Sequence, residues 1–203
     1  KYFEKLNYAV GEAHEPGSTF KLMGMIAALE DKVVDMDTEI KTGNGEMMFF
    51  GKYKVKDSKR GGYGTITAAK AFEVSSNVGL VKIINDNYKN NPKQFVDRLY
   101  NMGINKPLGL PIRGEGVPKI PYPTDPDWDG LDLPWMAYGY GVSLTPLQTL
   151  TFYNGIANGG EMVKPKFLEE ISNFGNVPTK VFSKQILNPS ICSEQTLAKV
   201  QSM

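Results

Sequence analysis

Ser18-Thr19-Phe20-Lys21 sets a hydroxyl and an amine three residues apart. On a helix that spacing puts both side chains on one face, within reach of each other. A serine hydroxyl is a weak nucleophile until a neighbouring base takes its proton, and an amine serves as that base only when its pKa falls well below its value in water. The chemistry open to such a pair is acyl transfer through a covalent ester on Ser18, with Lys21 as general base. The bland alternative is a serine that caps its helix and a lysine that lies in water. Further along, Ser75-Ser76-Asn77 supplies a second hydroxyl and an amide. Both residue types also break or cap helices, which is the bland reading of that triplet.

These groups need elements to hold them. Pro16-Gly17-Ser18 reads as a turn into a helix, with Ser18 as cap and Leu22, Met25, Ile26 and Leu29 recurring at i, i+3, i+4 and i+7. The pattern predicts a helix from about Ser18 to Glu30. Phe20, Met23, Ala27 and Ala28 make its other faces apolar, so it should be central and buried, with a sheltered first turn. In that shelter the ammonium form of Lys21 is disfavoured, and the N-terminal helix dipole disfavours it further. Residues 33–64 are rich in Gly and Lys and read as exposed loops, with one small hairpin around Lys52-Tyr53-Lys54-Val55-Lys56. A helix opens at Thr67 and a second resumes at Val78, so Ser75-Ser76-Asn77 is a kink between them.

Beyond the kink, Asn91-Pro92 predicts a cap and first-turn proline for a helix that Gly103 ends. Residues 106–134 are crowded with prolines and glycines and predict a long irregular loop or lid. Thr145-Pro146 starts a helix that Gly159-Gly160 stops, residues 162–171 read as a strand, and Ser193 caps a last helix that the chain end at Met203 cuts off.

Composition narrows the function classes. The 203 residues are 41% hydrophobic and 22% charged, with 23 Lys and Arg against 22 Asp and Glu for a net charge of +1. One sizeable core or two small ones fit that length. No single-sign field is present to draw in nucleic acid or an anionic membrane. The apolar run from Leu22 to Leu29 falls far short of a membrane span, and any targeting segment lies outside this sequence. Cys192 is the single cysteine and His14 the single histidine. A Cys-His dyad would need those two to meet, and a Ser-His-Asp triad would need His14 as base; a surface or structural histidine is the plainer reading.

The two ordered elements come with matching surroundings. Glu15-Pro16-Gly17-Ser18-Thr19-Phe20-Lys21, Val74-Ser75-Ser76-Asn77-Val78-Gly79 and the run Tyr138-Gly139-Tyr140-Gly141-Val142-Ser143-Leu144-Thr145-Pro146-Leu147-Gln148 resemble segments of class B penicillin-binding proteins, the division-type transpeptidases in particular. Ser-x-x-Lys followed in chain order by a Ser-x-Asn element recurs among penicillin-binding proteins and serine β-lactamases, which share a nucleophilic serine. The resemblance runs over nearly the whole chain. It implies an α+β fold, serine β-lactamase-like, of which residues 1–203 form a partial transpeptidase domain: mainly the helical part, with little of the antiparallel sheet.

Carried onto this sequence, the resemblance implies that Ser18 attacks the penultimate D-Ala carbonyl of a D-Ala-D-Ala stem peptide while Lys21 takes its proton. Ser75 passes a proton toward the leaving amine, and the Asn77 amide holds Lys21 and the substrate backbone. The Ser18 N–H forms part of the oxyanion hole. The implied partners are peptidoglycan stem peptides on lipid II-derived strands, β-lactam antibiotics, a membrane glycosyltransferase and division or elongation proteins. The implied place is the periplasm, by way of an inner-membrane anchor. No cofactor, metal or nucleic acid is expected.

Several features stand outside the pattern. The family's third element, Lys-Thr-Gly or Lys-Ser-Gly, follows Ser-x-Asn; here the only Lys-Thr-Gly, Lys41-Thr42-Gly43, precedes it and reads as a turn, so the true third element is expected beyond Met203. Asp125-x-Asp127-x-Asp129-Gly130 imitates half a calcium loop but ends on Met136 where a Glu is required, and reads as a solvated acidic loop. Lys52, Lys54, Lys56, Lys59 and Arg60 lie beside Tyr53 and Tyr63, and a solvated loop is preferred to a nucleic-acid surface. Glu115 stands where class A β-lactamases place a deacylating Glu, but its neighbours differ and Ser76 replaces the Asp of their Ser-Asp-Asn. A non-catalytic β-lactam-binding sensor or scaffold, and a plain β-lactamase, are the competing functions.

Overall fold

The computed structural model describes residues 6–174 and 177–203. Its elements in chain order are α1 (Tyr8–Gly11), a 3₁₀ turn (Gly17–Phe20), α2 (Lys21–Glu30), β1 (Glu39–Gly43), β2 (Glu46–Phe49), β3 (Tyr53–Lys56) and β4 (Gly64–Thr67). There follow α3 (Ala68–Glu73), α4 (Asn77–Tyr88), α5 (Pro92–Asn101), α6 (Asp132–Met136) and α7 (Pro146–Ala157). The last part holds β5 (Met162–Val163), β6 (Glu170–Ser172), β7 (Pro178–Val181), β8 (Ile186–Asn188) and α8 (Glu194–Gln201).

α2 is the axis of the molecule. Every residue from Lys21 to Leu29 is buried, because α4, α5 and α8 pack round it and cover all its faces. Met23, Met25 and Ile26 meet Leu80, Ile84, Phe95 and Leu99 in one continuous core, and each such side chain taken from water contributes about 1.5–3 kcal/mol. The far end of α2 is pinned by a polar knot: the Tyr88 hydroxyl donates to Asp31 Oδ2 at 2.9 Å, and Arg98 bonds Asp31 Oδ1. The central, buried helix read from the sequence is therefore found. Ser18, however, does not cap it. The first turn tightens to 3₁₀ geometry and the cap position falls on Phe20, with no side-chain cap bond.

α3 and α4 are helices broken at Ser75, as the sequence implied. Thr67 accepts from the Lys70 N–H to open α3, and Ser76 accepts from the Gly79 N–H to open α4. α5 begins at Pro92 as expected, but Asn91 makes no side-chain cap bond. Thr145 and Gln148 close a reciprocal capping box on α7. Ser193 accepts from the Thr196 N–H at the start of α8, which ends at Gln201 on a Ser202 cap, short of Met203.

The strands form four two-stranded antiparallel pieces, β1 with β4, β2 with β3, β5 with β8 and β6 with β7. β2 and β3 are the expected hairpin. The rest of residues 33–64 is less exposed than its composition suggests, since Ile40, Thr42, Val55 and Asp57 are buried. Lys41-Thr42-Gly43 is not a turn: it lies in β1, with Lys41 opposite Thr65 and the buried Thr42 hydroxyl donating to Gly64 O. Only Gly43, at φ 57°, begins the reversal. The single strand expected over 162–171 is two short pieces in separate sheets. Pro165 stands between them and cannot donate to a ladder. The irregular stretch expected over 106–134 is found only to 131, since α6 takes residues 132–134; a bridge from Lys119 to Ser143 and the Gly116 N–H on Val10 O help to hold it. Among the described residues no helix is long and apolar enough to cross a membrane.

Candidate active site

Ser18 sits exposed at the mouth of α2 on a turn built by glycine. Gly17 takes φ 55°, a left-handed conformation that costs other residues about 1–2 kcal/mol. Its N–H donates to Gly139 O at 3.0 Å. Thr19 closes the turn by donating its hydroxyl to Pro16 O at 2.8 Å, and the Tyr153 hydroxyl, from α7, donates to Thr19 O at 2.9 Å. Glu15 accepts from the Gly141 N–H at 3.0 Å. The Tyr138–Gly141 run thus braces the segment that presents Ser18.

Gly139 shows how close this contact is. A Cβ there would stand 2.0 Å from Gly17 O, at a backbone φ of 86°. Gly139→Ala should lose about 2 kcal/mol or more of stability, from left-handed strain plus a clash with backbone that has no side chain to swing away. Equilibrium urea denaturation checks it, and a change below about 0.5 kcal/mol would mean the brace is loose.

Lys21 lies on the same helix but faces inward. Its side chain is buried, at 1% exposure, and its Nζ has three partners: Ser75 O at 2.7 Å, Ser75 Oγ at 2.9 Å and Asn77 Oδ1 at 2.6 Å. Three acceptors satisfy the three hydrogens of an ammonium. A neutral amine has two hydrogens and a lone pair, and of these partners only the Ser75 hydroxyl can turn round and donate. Burial pulls the Lys21 pKa down to about 8, and the negative charge of Asp57 works against that fall.

The kink delivers those acceptors. Ser75 is held at φ 53°, so its carbonyl and its hydroxyl both point at the amine. The other arm of the turn is fixed by Asn77, whose Nδ2 donates to Lys56 O at 2.8 Å, leaving one amide hydrogen for another acceptor. The structure therefore brings Lys21, Ser75 and Asn77 together. Among the described residues the Ser18 hydroxyl bonds none of the three; Ser18 is tied to Lys21 through its backbone, its carbonyl accepting the Lys21 N–H.

Asp57 is the residue the sequence did not single out. It is buried, and it accepts the Ser76 hydroxyl at 3.0 Å from both carboxylate oxygens and the Val78 N–H at 3.0 Å. An acid that closes a lysine-rich run carries no periodic signal; its only mark in the sequence is an Asp just past a predicted strand, where turns also favour it.

The remaining candidates lie apart from this cluster. His14 bridges Leu144 through its backbone and stands 3.9 Å from Glu12. Cys192 is buried, and burial followed by the charge of Glu30 pushes its thiol up to about 11, the wrong direction for a nucleophile. The Glu115 carboxylate accepts the N–H groups of Leu108 and Leu110, so it clamps its own loop. Asp125 and Asp129 accept from the N–H groups of Tyr122 and Leu131; they cap turns separately, and among the described residues no group of three acids, histidines or cysteines is placed to hold a metal. The basic cluster is a hairpin more than a loop, with Lys54 and Lys56 on Glu46 and Lys59 over the Tyr63 ring.

The family model described as penicillin binding protein transpeptidase domain matches residues 2–203. Stage V sporulation protein D of Bacillus subtilis is 27% identical over 197 residues, 96% of this chain and 29% of that protein. Peptidoglycan D,D-transpeptidase FtsI of Escherichia coli K12 is 29% identical over 160 residues, 76% of this chain and 24% of that protein. Among solved structures, the transpeptidase domain of Burkholderia pseudomallei penicillin-binding protein 3 superposes with a TM-score of 0.77 at 25% identity, covering 97% of this chain and 54% of that one. Penicillin-binding protein 3 of Mycobacterium tuberculosis, complexed with aztreonam, gives 0.78 at 27% identity, covering 97% of this chain and 42% of that one. The chain thus spans less than a third of the length of these two curated relatives.

Proposed function

The chain belongs to the penicillin-binding protein transpeptidase domain family, in its class B branch, and from that premise we propose that it is the catalytic segment of a serine D,D-transpeptidase that cross-links peptidoglycan. The observation that carries the proposal is the Lys21 amine, buried one helical turn from Ser18 and held by Ser75 and Asn77.

In this reading Ser18 Oγ attacks the penultimate D-Ala carbonyl as its proton passes to neutral Lys21, and the new C–O bond makes a tetrahedral oxyanion. The Ser18 N–H, at a helix start, is one donor to that oxyanion. Collapse breaks the C–N bond, and the Ser75 hydroxyl, able both to accept from Lys21 and to donate, relays the proton to the departing D-Ala. An amine of a neighbouring stem peptide then attacks the Ser18 ester, the relay runs in reverse, and Ser18 regains its proton. The spare Asn77 amide hydrogen is free for the substrate backbone. β-Lactams would acylate Ser18 in the same way, as the aztreonam complex of the mycobacterial relative suggests. We place the domain in the periplasm, with the third element, the membrane anchor and any glycosyltransferase or division partner supplied by parts of the system other than residues 1–203.

The test is made on the full-length protein with a D-Ala-D-Ala thioester analogue and an acceptor amine. Transfer to the amine supports a transpeptidase. Labelling without transfer supports a sensor or scaffold, and rapid multiple hydrolysis of a chromogenic cephalosporin supports a β-lactamase. The pH profile is a further expectation. The base must be unprotonated, so the acylation rate should rise with pH and level off above a midpoint near 8, where burial has placed Lys21. A rate flat from pH 6 to 9 would remove Lys21 as the base.

A further inference from the structure

The acyl-transfer scheme makes no use of Asp57, yet that side chain is more deeply engaged than any other acid near the site. It is 6% exposed. Its N–H donates to Gly45 O at 2.9 Å, which fixes the backbone just past β3. Ser76 stands between the carboxylate and the helix: its hydroxyl donates to Asp57 and accepts the Gly79 N–H at 2.8 Å. With Val78 N–H also bound, two of the orphan donors at the start of α4 end on this pair, and a negative charge at that end is favoured by the helix dipole.

The turn that these bonds hold is strained. Ser75 is a non-glycine residue in the left-handed region, at φ 53°, where a Cβ crowds the following carbonyl. Such a residue persists only where its surroundings over-determine it, and here the residues on either side are the ones that are gripped. The Ser75 and Ser76 N–H groups close the end of α3 on Phe72 O and Ala71 O. Asp57 holds Ser76 and Val78 from the other side, while Lys56 O, one residue earlier, holds Asn77 Nδ2. A single two-residue segment therefore grips the turn at Ser76, Asn77 and Val78, and the Ser75 carbonyl and hydroxyl face Lys21 as the result.

We propose that Asp57 is a positioning residue of the acyl-transfer site, its carboxylate locking the Ser75-Ser76-Asn77 turn in the conformation that closes on the Lys21 amine. The inference rests on the transpeptidase reading for what the amine does. The carboxylate acts by shape, through Ser76 and Val78, and by charge, since it favours the ammonium form of Lys21 while burial opposes it. Of the other charged groups on the packed elements, Lys54 and Lys56 are matched by Glu46 on the hairpin, Lys70 by Glu73 on α3, Lys82 by Asp86 on α4 and Arg98 by Asp31 between α5 and α2, while Glu39 and Lys41 stand exposed on β1. Asp57 is the charge among the described residues that bears on Lys21.

Shape and charge are separable. In Asp57→Asn the amide oxygen can still accept from Ser76 and Val78, but the charge is gone; Asp57→Ala removes both. The experiment measures second-order acylation by a fluorescent penicillin from pH 5.5 to 9.5 in the full-length protein and both variants. Asp57→Asn should keep its plateau within about tenfold while its acid limb moves to lower pH, so that below the wild-type limb it reaches or overtakes wild type. Asp57→Ala should fall by about 10- to 100-fold on the plateau and carry the same limb shift. NMR titration of ¹³Cε-labelled lysine reads the Lys21 midpoint directly, and it should move down in both variants. Variants slowed equally at every pH with an unmoved limb, or not slowed at all, would overturn the proposal while wild-type labelling upholds the transpeptidase. A wild type that takes no penicillin would overturn the transpeptidase reading, and with it any role for Asp57 in acyl transfer.

Discussion

Ser18→Ala should abolish covalent labelling by penicillin in the full-length protein, a loss of about 10⁶-fold if the nucleophile carries as much here as in other serine acyl-transfer enzymes. The reasons are access and partners. Ser18 is exposed where α2 begins, on a turn fixed from three sides by Gly139, Tyr153 and Pro16. Ser75, the other hydroxyl at the site, is engaged by Lys21 through both its side chain and its carbonyl. Ser76 is buried and donates to Asp57. Removing one Oγ from an exposed position leaves the core untouched, so the variant should melt with the wild type. Labelling that persists in a folded Ser18→Ala protein would move the nucleophile elsewhere.

Lys21→Arg should lose about 10²–10⁴-fold in acylation, the range that general acid–base catalysis contributes. Guanidinium stays protonated at any working pH and cannot accept the serine proton. It is also larger and planar, in a buried socket whose three acceptors are set for a compact ammonium. A circular-dichroism melt separates a lost base from a lost fold, and Lys21→Met, close in volume and without an amine, is the second variant. Activity within about tenfold of wild type in a folded variant of either kind would count against Lys21.

Much of this site was legible in the sequence because its parts are local. Ser18 and Lys21 share one turn, Ser76 caps its own helix, and Thr145-Pro146 and Gln148 form a capping box within four residues; each is a short-range choice that spacing records. What the sequence concealed depends on partners far along the chain. β1 pairs with β4 across the intervening residues 44–63, so Lys41-Thr42-Gly43 resembles a glycine turn wherever Thr65 is not in view opposite it. Asp57 reaches Ser76 in the same non-local way, and no alternation or motif marks it. Ser18 failed as a cap for a local reason that spacing cannot show: Gly17 turns left-handed, and the first hydrogen-bonded turn closes on Ser18 O from the Lys21 N–H, in 3₁₀ geometry. The strand expected over residues 162–171 was lost to Pro165, a breaker visible in the sequence that outweighs the apolar residues around it.

The proposal that buried Lys21 arms Ser18 for acylation is tested most directly by peptide mapping by mass spectrometry of the full-length protein after exposure to excess penicillin. One penicilloyl group per chain, on the tryptic peptide 6–21 and fragmenting to Ser18, is the expected result. An adduct on any other residue, or none on a folded protein after hours of exposure, would contradict it.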